Sequence, residues 1–124
     1  QFVNHWMHTA LISMDGQKMS KSLGNLVFVD ALRKEYDPRS IRLAIIEHNY
    51  RVEWEWDDKL MPRNKARLES WLDNDGTNLA LLDMVRERLD DDLDTPGALA
   101  AIDAAAASGH GVREAAELLG VNFE

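Results

Sequence analysis

Within residues 78–91 the apolar side chains Leu79, Leu82, Val85 and Leu89 return at intervals of three and four, and Leu93 continues the series. That period predicts a helix with one apolar stripe, and a stripe of that kind has to be buried against partner elements. The rest of the chain offers such partners. Asp37-Pro38 and Asp94-Thr95-Pro96 are both helix starts: the carboxylate accepts from the free N–H groups, and Pro fits the first helical position. The first start predicts a helix running to about His48, with Ile41, Ala44, Ile45 and His48 on one face. The second predicts an Ala-rich helix with Leu99 and Ile102 inward, broken by residues 108–111. A short helix over 112–119 would use Ala115, Leu118 and Leu119. A further helix over 57–72 would bury Leu60, Leu68, Trp71 and Leu72. Pro62 falls inside it, so that helix either starts late or is bent. The expected class is mainly α, a helical bundle with a small strand-and-loop element at its N-terminal edge.

That edge reads differently. Ala10, Leu11 and Ile12 form a short apolar strand within residues 6–18, and Asp15-Gly16 is a strong turn signal. Lys18 to Asn25, KMSKSLGN, is a polar loop, and a helix is expected over 28–35. The alternating YRVEWEW of residues 50–56 suggests a strand. Its two Trp residues favour instead an extended linker whose rings pack onto neighbouring helices.

Composition narrows the function. The chain has 124 residues, 45% of them apolar and 29% charged, which suits a packed domain. Its formal net charge of −8 makes it a poor non-specific partner for nucleic acid or an anionic membrane. With no cysteine, it can form no disulfide and no thiolate metal site of its own. His5 and His8 lie three apart without an obvious third ligand, so a packing or substrate-lining role is favoured over metal. No apolar run reaches the roughly 18 residues needed to cross a bilayer, and residues 1–8 lack the basic start and apolar stretch of a signal peptide. A cytoplasmic protein is expected. The first residue is not Met, and the abrupt aromatic-rich start reads as the middle of something larger.

The segment that carries chemistry is KMSKS, Lys18 to Ser22. Two lysines three residues apart can turn toward one anion. Two serines add hydroxyls, and the following Gly adds a pliable backbone. Such a loop suits an oligophosphate whose charge grows in a transition state. Lysine is a flexible point charge, which fits a loop that closes and reopens with turnover. Taken alone, the five residues are equally compatible with an exposed basic loop.

The context carries a resemblance. HWMHTALISMDGQKMSKSLGNLVFV, then YDPRSIRLAIIEHNYR, then DDLDTPGALAAI together cover most of residues 4–103. They are similar to class I aminoacyl-tRNA synthetases, and within them to the cysteinyl branch. The resemblance implies that residues 1–27 are the edge of a catalytic domain carrying the KMSKS loop. Residues 28–56 would be stem-contact-like helices and a linker, and residues 57–124 a C-terminal helical bundle. It implies ATP as a substrate. Lys21 would contact the ATP phosphates and stabilise departing pyrophosphate, assisted by Lys18. Met19, Ser20 and Ser22 would line the loop. The backbone of Ile12 would lie near the adenine, with Met14 as an apolar wall. The HIGH signature and the zinc that binds the cysteine thiol would belong to a missing N-terminal catalytic part, since neither is in this sequence. An apolar surface near Trp6 and Leu11 is expected where that part packs.

Two kinds of enzyme share this branch. One charges tRNA with cysteine. The other passes the same cysteinyl-adenylate to the amine of glucosaminyl-inositol in mycothiol biosynthesis. The ending after DDLDTPGALAAI, a short Ala-rich segment and LLGVNFE, favours the second, and the acidic balance agrees. The chain alone is expected to be inactive. A third possibility, of another class, is a non-catalytic helical interaction module that keeps a family-like loop.

Other residues receive plainer readings. Arg39 and Arg42, one turn apart, are expected on the solvent face of their helix rather than on a phosphate. Trp54 and Trp56 are expected to pack rather than stack a ligand. The acidic group Asp90, Asp91, Asp92 and Asp94 is expected to favour a helix N-terminus rather than bind Mg²⁺. His48 is expected to be a hydrogen-bonded inner residue, and His110 gives no signal.

Overall fold

The computed structural model describes residues 2–124; Gln1 lies outside the described residues. Element order is β1 (Ile12–Met14), β2 (Gln17–Lys18), α1 (Val29–Leu32), α2 (Pro38–Ile46), β3 (Trp54–Glu55), α3 (Leu60–Leu72), α4 (Leu79–Asp90), α5 (Thr95–Ala107) and α6 (Arg113–Leu118). The architecture is mainly α, with one small sheet.

Side-chain caps set the helix starts. Asp37 accepts the Arg39 N–H at 2.8 Å and Asp94 accepts the Gly97 N–H at 2.9 Å, each ahead of a Pro in the first turn. Asn78 does the same for α4, accepting the Leu81 N–H at 3.1 Å. The Pro62 question resolves to a late start. Lys59 is the cap residue, so Pro62 occupies the first turn of α3, where its missing N–H costs no helical hydrogen bond. Helix α1 is shorter than expected. Phe28 supplies no side-chain cap, and residues 33–36 close on i−3 and i−4 carbonyls as turns before Pro38 starts α2.

The main core lies among α2, α3, α4, α5 and α6. It is built from Leu43, Leu68, Trp71, Leu81, Val85, Leu99, Ile102, Val112, Ala115, Leu119 and Val121. Leu99, Ile102, Leu60, Leu68, Trp71 and Ala115 are buried as expected, and Leu72 is half-buried. Three leucines are not where the spacing put them. In α4 the buried stripe is Leu81 and Val85, with Leu82 and Leu89 at its edges, and Leu79 is 61% exposed. Two residues span about 200° of helix, so Leu79 points away from Leu81. Leu118 is likewise exposed because α6 turns Ala115, Ala116 and then Leu119 inward. Leu93 is also exposed; it sits after the helix in a left-handed turn, with φ 51° at Asp92 and 56° at Leu93.

Two loops cross where α3 meets α4 and where α5 meets α6. Val112 N–H donates to the Asn74 carbonyl at 3.0 Å and Arg113 N–H to the Gly76 carbonyl at 3.2 Å. A Cβ on Gly111 would stand 2.3 Å from the Gly76 carbonyl carbon, so only Gly lets the backbones pass there.

A second, smaller core joins α2 and α3 through Ile41, Ala44, Leu60 and Met61, with Tyr36, Trp54 and Trp56 packed against it. The Trp rings therefore do pack onto helices. The linker expected over 50–56 is nevertheless a strand at its end. Trp54 and Glu55 pair in parallel with Ile12 and Ser13, giving the sheet order β2-β1-β3. The alternation was a true strand signal; the partner strand lies some forty residues earlier in the chain.

Candidate nucleotide-binding loop

The loop begins from a two-residue hairpin. Ser13 pairs with Lys18 and Met14 with Gln17 in antiparallel register. Asp15 and Gly16 connect them with φ of 52° and 75°. Both values lie in the left-handed region, the geometry whose twist matches paired strands. β1 is the central strand, so it holds β2 on one side and β3 on the other. The turn is also tied to β3: Gly16 N–H donates to Glu55 Oε1 at 2.6 Å.

Beyond β2 the chain folds on itself. Met19 N–H returns to the Ile12 carbonyl at 3.1 Å. Asn25 then closes the loop from both directions. Its Oδ1 accepts the Ser20 N–H at 2.8 Å, and its Nδ2 donates to the Lys18 carbonyl at 3.2 Å. Ser20 Oγ accepts the Leu23 N–H at 3.3 Å and lies 3.2 Å from Ser22 Oγ, while Gly24 N–H donates to the Lys21 carbonyl at 3.2 Å. The loop's shape thus comes from its own short-range bonds. Asn25 was not singled out from the sequence, although a side chain with both donor and acceptor is the type that can bridge two backbone groups.

Lys18 and Lys21 are both solvent-exposed. Among the described residues, neither ammonium has a carboxylate within ion-pair distance; the arginines take up the acidic partners instead. Two cations on a self-braced loop, with no carboxylate of the described residues in ion-pair reach, leave no internal ion pair to be broken before an anion could approach. Met19 and Ser20 are half-buried, and Ser22 is exposed. Ile12 is half-buried and helps line an apolar recess of about 290 Å³ with Met7, Ile45, His48, Trp54 and Thr95. Met14 is half-buried farther along β1.

The remaining candidates fall into structural roles. Arg39 and Arg42 do not simply decorate a solvent face. Arg39 pairs with Asp37 and donates to the Asn122 carbonyl at 2.6 Å, and Arg42 donates to the Leu119 carbonyl, so both hold the C-terminal segment. Their guanidiniums reach backbone more than seventy residues away, which helix spacing alone does not reveal. Asp94 caps α5, while Asp92 accepts from Tyr50 Oη at 2.6 Å and from Arg51 Nε at 2.7 Å. His48 Nδ1 lies 3.0 Å from the Ala44 carbonyl, and its ring stacks on Trp54 with centroids 3.8 Å apart and planes 2° from parallel. Burial holds His48 below the ordinary histidine range, against the opposing pull of the Glu47 carboxylate. His5 and His8 join no cluster, and among the described residues no three His, Cys, Asp or Glu side chains come together as a metal site. Phe2, Trp6, Met7 and Leu11, at the N-terminal edge, are each exposed.

The model of the tRNA synthetases class I (C) catalytic domain matches residues 1–66, from the N-terminal edge into α3. Three curated relatives carry the name L-cysteine:1D-myo-inositol 2-amino-2-deoxy-alpha-D-glucopyranoside ligase. The one from Parafrankia sp. is 50% identical over 113 residues, covering 86% of this chain and 26% of the relative. That from Thermobispora bispora is 48% identical over 114 residues, covering 86% and 28%. That from Thermobifida fusca is 49% identical over 116 residues, again covering 86% and 28%. The chain therefore spans about a quarter of the length of the curated relatives it matches. With that family model matching more than half its length, this chain belongs to the family of class I (C) tRNA synthetase catalytic domains.

Proposed function

We propose that the chain is part of an ATP-dependent ligase that activates cysteine as cysteinyl-adenylate and joins it to the amine of glucosaminyl-inositol. The observation that carries this reading is the self-braced KMSKS loop with two unpaired lysines, in a chain about half identical to ligases of that name. In the first step a cysteine carboxylate oxygen attacks the α-phosphorus of ATP, and the bond to the β-phosphate bridging oxygen breaks, releasing pyrophosphate. In the second, the sugar amine attacks the activated carbonyl, an amide forms, AMP leaves and the amine gives up a proton.

Neither step takes a nucleophile from this chain. Its contribution is electrostatic: Lys21, assisted by Lys18, stands where negative charge builds on the departing pyrophosphate. Met19, Ser20 and Ser22 shape the loop around the phosphates, and the Ile12 backbone lies beside the adenine. A zinc that held the cysteine thiol would sit in the N-terminal part of the enzyme. The HIGH signature belongs to that same part, so the chain alone is inactive. The enzyme works in the cytoplasm on small molecules. Among the described residues no helix is long and apolar enough to cross a membrane.

The experiment uses the whole protein that carries this chain. Lys21→Ala should lower cysteine-dependent ATP–pyrophosphate exchange by about a hundredfold or more, and change ground-state cysteine binding far less. Unchanged exchange would sink the assignment. Supplying glucosaminyl-inositol or tRNA as acceptor separates this reading from the second one, a cysteinyl-tRNA synthetase, which the matched family description favours. Exchange activity from the 124-residue chain by itself would overturn the view that it is incomplete.

A further inference from the structure

The lysine loop is joined to the helices in part through residues 50–56. β1 carries the loop, and β1 is bonded to residues 50–56. Ala10 N–H donates to the Tyr50 carbonyl at 2.7 Å, Trp54 N–H to the Leu11 carbonyl at 3.3 Å, and Trp56 N–H to the Ser13 carbonyl at 2.8 Å. Glu55 holds the hairpin turn through Gly16. Residues 50–56 are in turn fixed to the helices by the two Trp rings. Trp54 lies flat on His48, whose ring Nδ1 faces the Ala44 carbonyl at 3.0 Å and whose backbone carbonyl accepts from Thr95 Oγ1 at 3.4 Å.

Glu47 continues the chain of contacts into the bundle. It accepts from Arg63, from Asn64 Nδ2 at 2.8 Å and from Arg67 NH1 at 2.9 Å. Arg67 also donates to Asp103, as does the buried Trp71 Nε1 at 2.8 Å. A connected path therefore runs from α5 and α3 through the end of α2 and across one ring stack to the strand beside the loop. A flat, tightly spaced stack sets distance and orientation together, which a flexible aliphatic contact does not.

We propose that His48 and Trp54 are positioning residues for the adenylation step: their stack sets β3, and the β3–β1–β2 ladder sets where Lys18 and Lys21 stand. This rests on the reading of KMSKS as the phosphate site. A shift of about 1 Å in a charge-stabilising group can cost two orders of magnitude in rate, so a loosened stack acts on the transition state more than on ATP binding.

The test is a double-mutant cycle on the whole protein, read by cysteine-dependent ATP–pyrophosphate exchange. Trp54→Leu should lower kcat by about tenfold, with KM for ATP within about twofold, and Trp54→Phe should recover most of the loss because a planar ring remains. In a Lys21→Ala background, Trp54→Leu should cost little more, since the group it positions is gone. Glu55→Ala, an exposed change at the hairpin turn, runs the same cycle with a smaller first effect should Trp54→Leu fold poorly. Equal losses with and without Lys21 would overturn the proposal, as would full activity in both Trp54→Leu and Glu55→Ala. An unaffected Lys21→Ala enzyme would instead bring down the phosphate-site reading itself, and this inference with it.

Discussion

The helical bundle and the N-terminal hairpin are built on opposite principles. In the bundle, Trp71, Leu99, Ile102, Val85 and Val112 are essentially without solvent contact, and Trp71 also satisfies its indole N–H on Asp103. Around the hairpin, Phe2, Trp6, Met7, Leu11, Leu23 and Phe28 are exposed, and shape comes from a three-strand ladder and short-range bonds. The bundle is held by burial, which is cooperative and distributed. The loop is held by geometry, which leaves its cations free. A site that stabilises charge needs donors fixed in place but not neutralised, and a loop braced by its own bonds beside the β1–β3 pair is compatible with both demands.

The largest expected effect breaks the bundle side of this contrast. Trp71→Ala should cost about 4 kcal/mol through the cavity it leaves, seen as a lower urea midpoint. The exposed Leu79 truncated to Ala should stay within about 0.5 kcal/mol of the parent. Equal losses would mean that the register of α4 described here is wrong.

Acidification should weaken the joint between the two regions next. His48 is held below its ordinary value of 6.5, chiefly by burial. The unfolded chain therefore takes up that proton first, so its stabilising contribution is whole above about pH 6.5 and declines as pH falls through that value. Burial would raise Glu47, but Arg63, Asn64 and Arg67 outweigh it and hold the carboxyl below its ordinary 4.5. Its contribution is present above that value and is lost as pH falls toward the lower folded value. Unfolding midpoints should thus fall in two stages below neutrality, and His48→Gln should remove the first. A flat profile between pH 7 and 5 in the parent would contradict the buried, neutral His48.

The smallest effect sharpens the hairpin side. Gly16 has φ 75°, and a Cβ there would meet nothing within 4 Å. Gly16→Ala therefore costs only backbone strain, about 1 kcal/mol. Because the hairpin is lightly coupled to the core, amide exchange should quicken in residues 13–18 while the global midpoint barely moves. A global shift of the same size would show the hairpin to be part of the cooperative core.

Much of this was legible in the chain. The Asp caps before Pro, the Asp15-Gly16 turn, the break after Ala107 and the KMSKS loop all depend on residues within a few positions of one another. Local rules read such features directly. The partners of Arg39 and Arg42, the partner of the strand at Trp54 and Glu55, and the orientation of Leu79 and Leu118 were not legible. Each depends on a neighbour distant in sequence: the C-terminal segment, β1, or the direction in which a helix meets the core. So the sequence by itself determined the helices, the turn and the lysine pair, because those are local choices of backbone and chemistry. Only the tertiary structure decided which face of each helix is buried and which rings tie the strand beside the lysine loop to the helices, because packing is settled by where remote elements meet.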